Sequence, residues 1–271
     1  MAIFSLNEVR TEQIKNIAND NFESWPESAT YGYFGGGSGA PSNSLNRELE
    51  RLDLTNETAT LTGNEVSQAR YRLAAVSSSS YGYFGGGLND PGNTAYDIID
   101  RIDFSNETLS APGNNLTQAR DALATVSSSS YGYFGGGRDL GLSPSYVNTI
   151  YRIDFSSETL SAPGNNLSQA RANLAAVSSS SYGYFGGGFF LSPPNTYYDT
   201  IDRIDFSNET TSPVTATLPQ ARSSLAALSS SSYGYFGGGQ VPPNGSQVVD
   251  TIDRIDFSNE TTSLFGNVLS Q

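Results

Sequence analysis

Neither cysteine nor histidine occurs in this 271-residue chain, and methionine and tryptophan occur once each. Without cysteine there is no disulfide and no thiol chemistry, and the redox compartment stays open. Without histidine the commonest general base and the commonest zinc or copper ligand are both missing, which removes many enzyme classes. Basic residues are scarce: 14 Lys and Arg stand against 27 Asp and Glu, a net charge of −13. That balance opposes phosphate backbones and anionic membrane surfaces, so neither nucleic acid nor membrane is expected as a partner. The N-terminus, Met-Ala-Ile-Phe-Ser-Leu-Asn-Glu, shows no secretory pattern, and no apolar run approaches the ~20 residues of a membrane span. The composition describes an acidic, soluble protein.

What the chain has in quantity is repetition. Tyr-Gly-Tyr-Phe-Gly-Gly-Gly starts at Tyr31, Tyr81, Tyr131, Tyr182 and Tyr233, with spacings of 50, 50, 51 and 51 residues. A fixed period of that length points to a repeat architecture, one supersecondary unit per period. In the second unit the apolar runs are short, β-branched or aromatic, and bounded by Ser, Asn, Gly or Pro, the pattern of strands and turns. Four strands are expected: a (73–78), b (81–85), c (98–104) and d (around 108–111). Strand a is small-sided, which suits an innermost position near an axis. In strand b, Tyr81 and Tyr83 face one side while Gly82 and Phe84 face the other, so a neighbouring sheet is expected on each face. The stretch from Leu116 to Leu123 has helical spacing. It is short, runs into Val126 and four serines, and has Pro219 at the matching place in a later unit; it is read as a loop.

An aromatic strand ending in Gly-Gly, a later strand with an aspartate, and Leu-x-x-Ala-Arg before the next unit together resemble the kelch repeat over residues 29–271. The resemblance implies an all-β fold, a five-bladed β-propeller of four-stranded antiparallel blades. Two features depart from kelch usage: no tryptophan recurs after the glycines, and five units are fewer than the usual six or seven. The near-identical units are also similar to repeat proteins encoded by marine bacteriophages. That likeness implies a virion component, such as a tail, fibre or capsid-decorating protein, with other virion subunits as partners; otherwise a cytoplasmic location is expected. A copper oxidase of kelch type is not expected, since such a site needs histidines and a Tyr–Cys crosslink.

Residues 1–28 stand outside the repeat. Ser5-Leu6-Asn7-Glu8 reads as a capping box and predicts a helix from about Leu6 to Ala18, either a lid or an anchor to a partner subunit. The unit containing Tyr31 lacks a recognisable strand a. Residues 20–30 occupy that register, and they are expected to lie against the first blade and close the ring, with Trp25 packing as a plug.

No catalytic residue, metal site or cofactor is expected. Asn-x-Ser/Thr sequons such as that at Asn106 read as turn chemistry, and the glycine runs lack the Gly-Lys-Ser/Thr end and the following helix of a phosphate loop. Asp97, Asp100 and Asp103, with their counterparts at 199, 202, 205 and at 250, 253, 256, could hold calcium or serve a glycosidase. Each cluster straddles an arginine and recurs from blade to blade, so ion-paired strand edges are the better reading. Two sets of candidate binding residues remain, both on the face carrying the d–a and b–c loops. Arg70, Arg120, Arg171 and Arg222 each lie 11 residues before a strand b tyrosine. They would ring the axis and hold a carboxylate or anionic sugar, or else pair with blade aspartates. The b–c loops are the divergent parts of the repeat. One carries Arg138, and another carries Phe189, Phe190, Tyr197 and Tyr198 beside two prolines. Aromatics on variable loops of a rigid scaffold are a usual place for recognition, a glycan included, although this loop could instead fold over its own blade.

Overall fold

The computed structural model describes residues 31–39, 44–89, 93–143, 145–191, 194–243 and 247–269. The expected N-terminal helix, the ring-closing segment and Trp25 lie outside the described residues. Every element in the described part is a strand. The second repeat folds as Ala74–Ser77 (a), Tyr81–Gly85 (b), Ile99–Asp103 (c) and Leu109–Ser110 (d), hydrogen-bonded in the order a-b-c-d. The third, fourth and fifth repeats give the same four-stranded antiparallel sheet, with b strands Tyr131–Gly135, Tyr182–Gly186 and Tyr233–Gly237. The first contributes Tyr31–Gly35, Glu48–Asp53 and Thr58–Glu65 as b, c and d. The sheets are called blades 1 to 5 below. The stretch 116–123 is a loop apart from one bridge residue, as expected.

Local chemistry sets the turns. In blade 2 the a–b turn is tied by Ser78, whose Oγ accepts from the Ser80 and Tyr81 N–H groups at 3.2 and 3.0 Å. The c–d turn is tied by Asp103, which accepts from the Ser105 N–H and hydroxyl at 2.8 and 2.6 Å, and by Asn106, which accepts from the Thr108 N–H at 2.9 Å. Such Asx and Ser motifs supply backbone partners that would otherwise come from the sheet. Glu107 completes the turn with φ of 57°.

Consecutive blades pack face to face through one recurring junction. Strand alternation sends Phe84 towards blade 1 and Tyr83 towards blade 3. The Phe84 ring lies against Gly35, where an added Cβ would sit 3.0 Å from Cε1; Phe134 does the same at Gly85, at 2.6 Å. In the other direction Tyr83 stacks on Phe155 of blade 3 at 5.6 Å and donates its hydroxyl to Glu158 at 2.9 Å. Arg101 donates to the same carboxylate at 2.8 Å and lies over the Tyr81 ring. Burial, reinforced by the bond to Glu158, raises the Tyr83 hydroxyl well above the ordinary tyrosine value and keeps it a donor. The same contacts join blades 1 and 2, 3 and 4, and 4 and 5 through Tyr33–Glu107, Tyr133–Glu209 and Tyr184–Glu260.

The triple glycine has three separate duties. The first receives the next blade's phenylalanine. The second, Gly86, has φ of 71°, and a side chain there would meet the Arg120 carbonyl at 2.6 Å. The third, Gly87, donates its N–H to that carbonyl at 2.8 Å. Leaving strand b and anchoring the next repeat are thus one event.

Candidate recognition surface

The four arginines are buried, and three of them pair with blade aspartates, the second of the two readings above. Arg70, Arg120, Arg171 and Arg222 are each 0% exposed. Arg70 donates to Asp100 at 2.8 Å and to the Phe84 carbonyl, and Arg171 donates to Asp202 at 2.9 Å and to the Phe185 carbonyl. Arg222 repeats this with Asp253 and the Phe236 carbonyl. Blade 3 has Tyr151 where blades 2, 4 and 5 have aspartate. Arg120 there lies 4.5 Å above the Tyr151 ring and donates to the Gly136 carbonyl and the Thr149 hydroxyl. Burial pulls all four guanidinium groups below their ordinary value, against the raising effect of their partners. These side chains clamp the loop before strand a onto strands b and c, and none is open to a ligand.

The aspartate clusters also divide. Asp100 turns inward to Arg70, Asp103 caps the c–d turn, and Arg101 between them reaches Glu158 of the next blade. One aspartate of each cluster is ion-paired, Asp100, Asp202 and Asp253, and not to the arginine next to it, because adjacent residues of a strand point to opposite faces. Among the described residues no three carboxylates gather in a way that could hold a metal ion.

The d–a and b–c loops do share one face. The residue after each buried arginine bridges to the start of a b–c loop, as Tyr71 to Leu88, Asp121 to Arg138, Ala172 to Phe189 and Ser223 to Gln240. The next residues form a backbone chain from blade to blade. Ala122 N–H donates to the Arg72 carbonyl, Asn173 to Ala122 and Ser224 to Asn173, at 3.0, 2.9 and 2.8 Å. All four adopt φ between 53° and 56°. Inside this girdle the axial cavity is about 10 Å³, lined by residues such as Val76, Val126 and Val177. That is room for roughly one water.

Between blades 3 and 4 this face carries the one aromatic cluster among the described loop residues. Phe189 and Phe190 pack on Tyr146 with ring centroids 5.5 and 5.0 Å away, and Tyr197 stacks on Phe189 at 5.9 Å. Tyr146 is buried, Phe189, Phe190 and Tyr197 are half-buried, and Leu191 beside them is 58% exposed. Arg138, cross-strand from Tyr146, grips the buried Asp121 with two bonds of 3.0 and 2.6 Å, and Arg72 approaches the same carboxylate at 3.4 Å. Two cations thus share one carboxylate beside the rings. Tyr198 is not part of the cluster; it lies half-buried near the guanidinium of Arg171, at 5.9 Å. Tyr146 was not singled out from the sequence. Its signal was there: it aligns with Tyr197, and blades 1, 2 and 5 have Leu45, Ala95 and Val248 at that place.

On the opposite face a groove of about 420 Å³ runs between blades 3 and 4, lined by Ser130, Tyr131, Ser181, Tyr182 and Asp205 among others. Its chemistry is that of the a–b and c–d turns, which recur throughout the chain.

No protein-family model and no curated protein matches this sequence. Among the solved structures that it resembles is one described as "Structure of YjhT", with a TM-score of 0.72 over 88% of this chain and 81% of that one. At 14% identity the likeness concerns fold alone, and it supports a β-propeller-like all-β architecture. Among the described residues no helix is long and apolar enough to cross a membrane.

Proposed function

We propose that the chain is a non-enzymatic recognition module: a kelch-like propeller of five blades whose d–a and b–c loop face binds a partner macromolecule. The observation that carries this reading is the cluster of Tyr146, Phe189, Phe190 and Tyr197 beside Arg138. Half-exposed aromatics with an arginine neighbour, mounted on loops bridged to a packed scaffold, match the composition of interface hot spots. The resemblance to phage-encoded repeat proteins makes a virion the setting and another virion subunit the partner, with residues 1–28 as a second attachment. The alternative reading is a glycan held by the same rings, favoured by the stacked Phe189–Tyr197 pair at the loop surface.

The test is co-purification with particles from the native source, using the intact chain, Phe189→Ala and Tyr197→Ala. Retention of the intact chain and release of both variants, with unchanged thermal unfolding, supports the virion reading. Absence from particles together with glycan-array binding lost in both variants selects the glycan. If neither occurs, the loop face is not the binding surface.

A further inference from the structure

Arg72, Asp121 and Arg138 come from three loops of blades 2 and 3 and meet at one place on the loop face. The repeat itself does not call for them. Ala122, Asn173 and Ser224 hold the same left-handed φ as Arg72, so the turn needs no arginine. Leu88, Phe189 and Gln240 take the bridge position of Arg138, again without charge. Within the trio the bonds are unequal. Arg138 takes both oxygens of Asp121, Nε to Oδ1 at 3.0 Å and Nη2 to Oδ2 at 2.6 Å, in the fork that suits a carboxylate. Arg72 reaches Oδ2 through Nη1 at 3.4 Å, a long contact, and lies 5.2 Å over the Tyr71 ring. Its guanidinium has no other polar partner among the described residues, and its side chain is 41% exposed. Asp139, next to Arg138 in the chain, is turned into its own loop, where it accepts from the Gly141 N–H at 2.9 Å.

The buried Asp121 holds both cations beside the aromatic cluster. Arg138 is cross-strand from Tyr146, and Phe190 packs on Tyr146 at 5.0 Å. Burial raises the Tyr146 hydroxyl, and Arg138 and Arg72 both oppose that rise, so both guanidinium groups lie within electrostatic reach of the rings. An underused guanidinium and a set of half-buried rings therefore share one patch.

From this arrangement we infer that the loop face takes a carboxylate side chain of a partner protein at Arg72, with an apolar side chain of the same segment laid on the rings around Tyr146. The inference rests on the loop face being a recognition surface and adds the chemistry of what it recognises. The patch beside Arg72 is made of aromatic rings, and the Tyr146 hydroxyl already accepts from the Leu191 N–H. A saccharide carries hydroxyls all round and would leave many unpaired against such a surface, each at a cost. An acidic residue beside a leucine or an aromatic matches both halves. The chain's own charge of −13 repels a polyanion at a distance, so the complementary feature is one carboxylate and not an acidic run.

The test is selection of a display library of random peptides on the whole folded chain, followed by titration of the strongest synthetic binder. Enriched peptides should pair an Asp or Glu with a nearby Leu, Met or Phe, and should not bind Phe190→Ala. Replacing the peptide's acid by its amide should weaken binding roughly tenfold or more. Arg72→Gln should weaken the acidic peptide by a similar factor and leave the amide form unchanged, the coupling expected of a direct pair. Thermal unfolding checks that each variant folds, and the change made in the peptide tests the pairing without altering the chain. Peptides that depend on Phe190 but show no acid preference overturn this inference and leave the recognition reading standing. A selection that yields no peptide dependent on Phe190 also overturns it, and the particle assay above decides separately whether the loop face binds. Binding of uronic-acid glycans, lost in Arg72→Gln, would place the carboxylate on a sugar and overturn the assignment to a protein segment.

Discussion

The clearest quantitative consequence of the junction concerns two glycines with the same place in the repeat. Gly85 and Gly237 each end a strand b, and neither has left-handed φ, so alanine is allowed by the backbone at both. Their surroundings differ. A Cβ on Gly85 would lie 2.6 Å from Cε1 of Phe134 and 3.1 Å from its Cζ, inside van der Waals contact. Phe134 is fully buried among Val76, Tyr83, Ile99 and Ile153, so its ring has little room to retreat. Overpacking of this kind costs about 1–3 kcal/mol. At a central ~2 kcal/mol, Gly85→Ala should lower Tm by roughly 4–8 °C in a chain of this size. A Cβ on Gly237 would meet only Leu269, at 3.6 Å, an ordinary contact. Gly237→Ala should therefore be neutral, or stabilise by a few tenths of a kcal/mol through the unfolded chain, ~0.4–1 kcal/mol at most.

The assay is thermal unfolding by circular dichroism. If Gly237→Ala costs as much as Gly85→Ala, the glycine serves the backbone and the ring-socket argument is wrong. If Gly85→Ala is neutral, the junction yields more easily than its burial implies.

Two further outcomes follow from the buried and capping charges. Asp202→Ala leaves Arg171 buried without its carboxylate, and chemical denaturation should show a loss of about 3–5 kcal/mol; Tyr151→Phe leaves Arg120 its ring and backbone acceptors, and should cost only ~1 kcal/mol. Asp103, Asp154, Asp205 and Asp256 are held below the ordinary aspartate value, first by a serine hydroxyl and then by a serine N–H. Their folded pKa values lie below the unfolded ones, so their stabilisation is present above the ordinary value of 3.8 and fades as pH falls through the folded values. Denaturant midpoints should drop in that acid range, and less steeply in a variant carrying Asp103→Asn and Asp154→Asn. Asp253 runs the other way: burial raises its carboxyl despite Arg222, so its contribution is present below its unfolded value and lost as pH rises through the folded one. Asp253→Asn should flatten that opposing slope.

How much of this was legible beforehand depended on whether one repeat was enough to decide it. Strand b was read at its observed bounds, and strands a, c and d to within two residues at their ends, because each is bracketed by Ser, Gly or Asn turns whose chemistry is local. The reading of 116–123 as a loop rested on its shortness, on the Val126 and serines that follow it, and on Pro219 at the matching place in another copy, so comparison among repeats contributed. Partner choice was less visible. Asp100 and Arg101 are adjacent, and adjacency suggested pairing, yet strand alternation had already forbidden it. Applied to strand c, the same rule would have sent Arg101 to a neighbouring blade and left Asp100 for Arg70.

The glutamate of the c–d turn shows what sequence chemistry hides. Ser-Asn-Glu-Thr needs its Asn and Ser to make the turn, and nothing in the turn itself requires Glu. Glu57, Glu107, Glu158, Glu209 and Glu260 nevertheless stand in all five turns, each with φ between 54° and 58°. A residue repeated beyond what its local structure needs must be answering something outside its own blade. In four cases that is the preceding blade's tyrosine and arginine. The fifth, Glu57, keeps the conformation and has no such donors among the described residues.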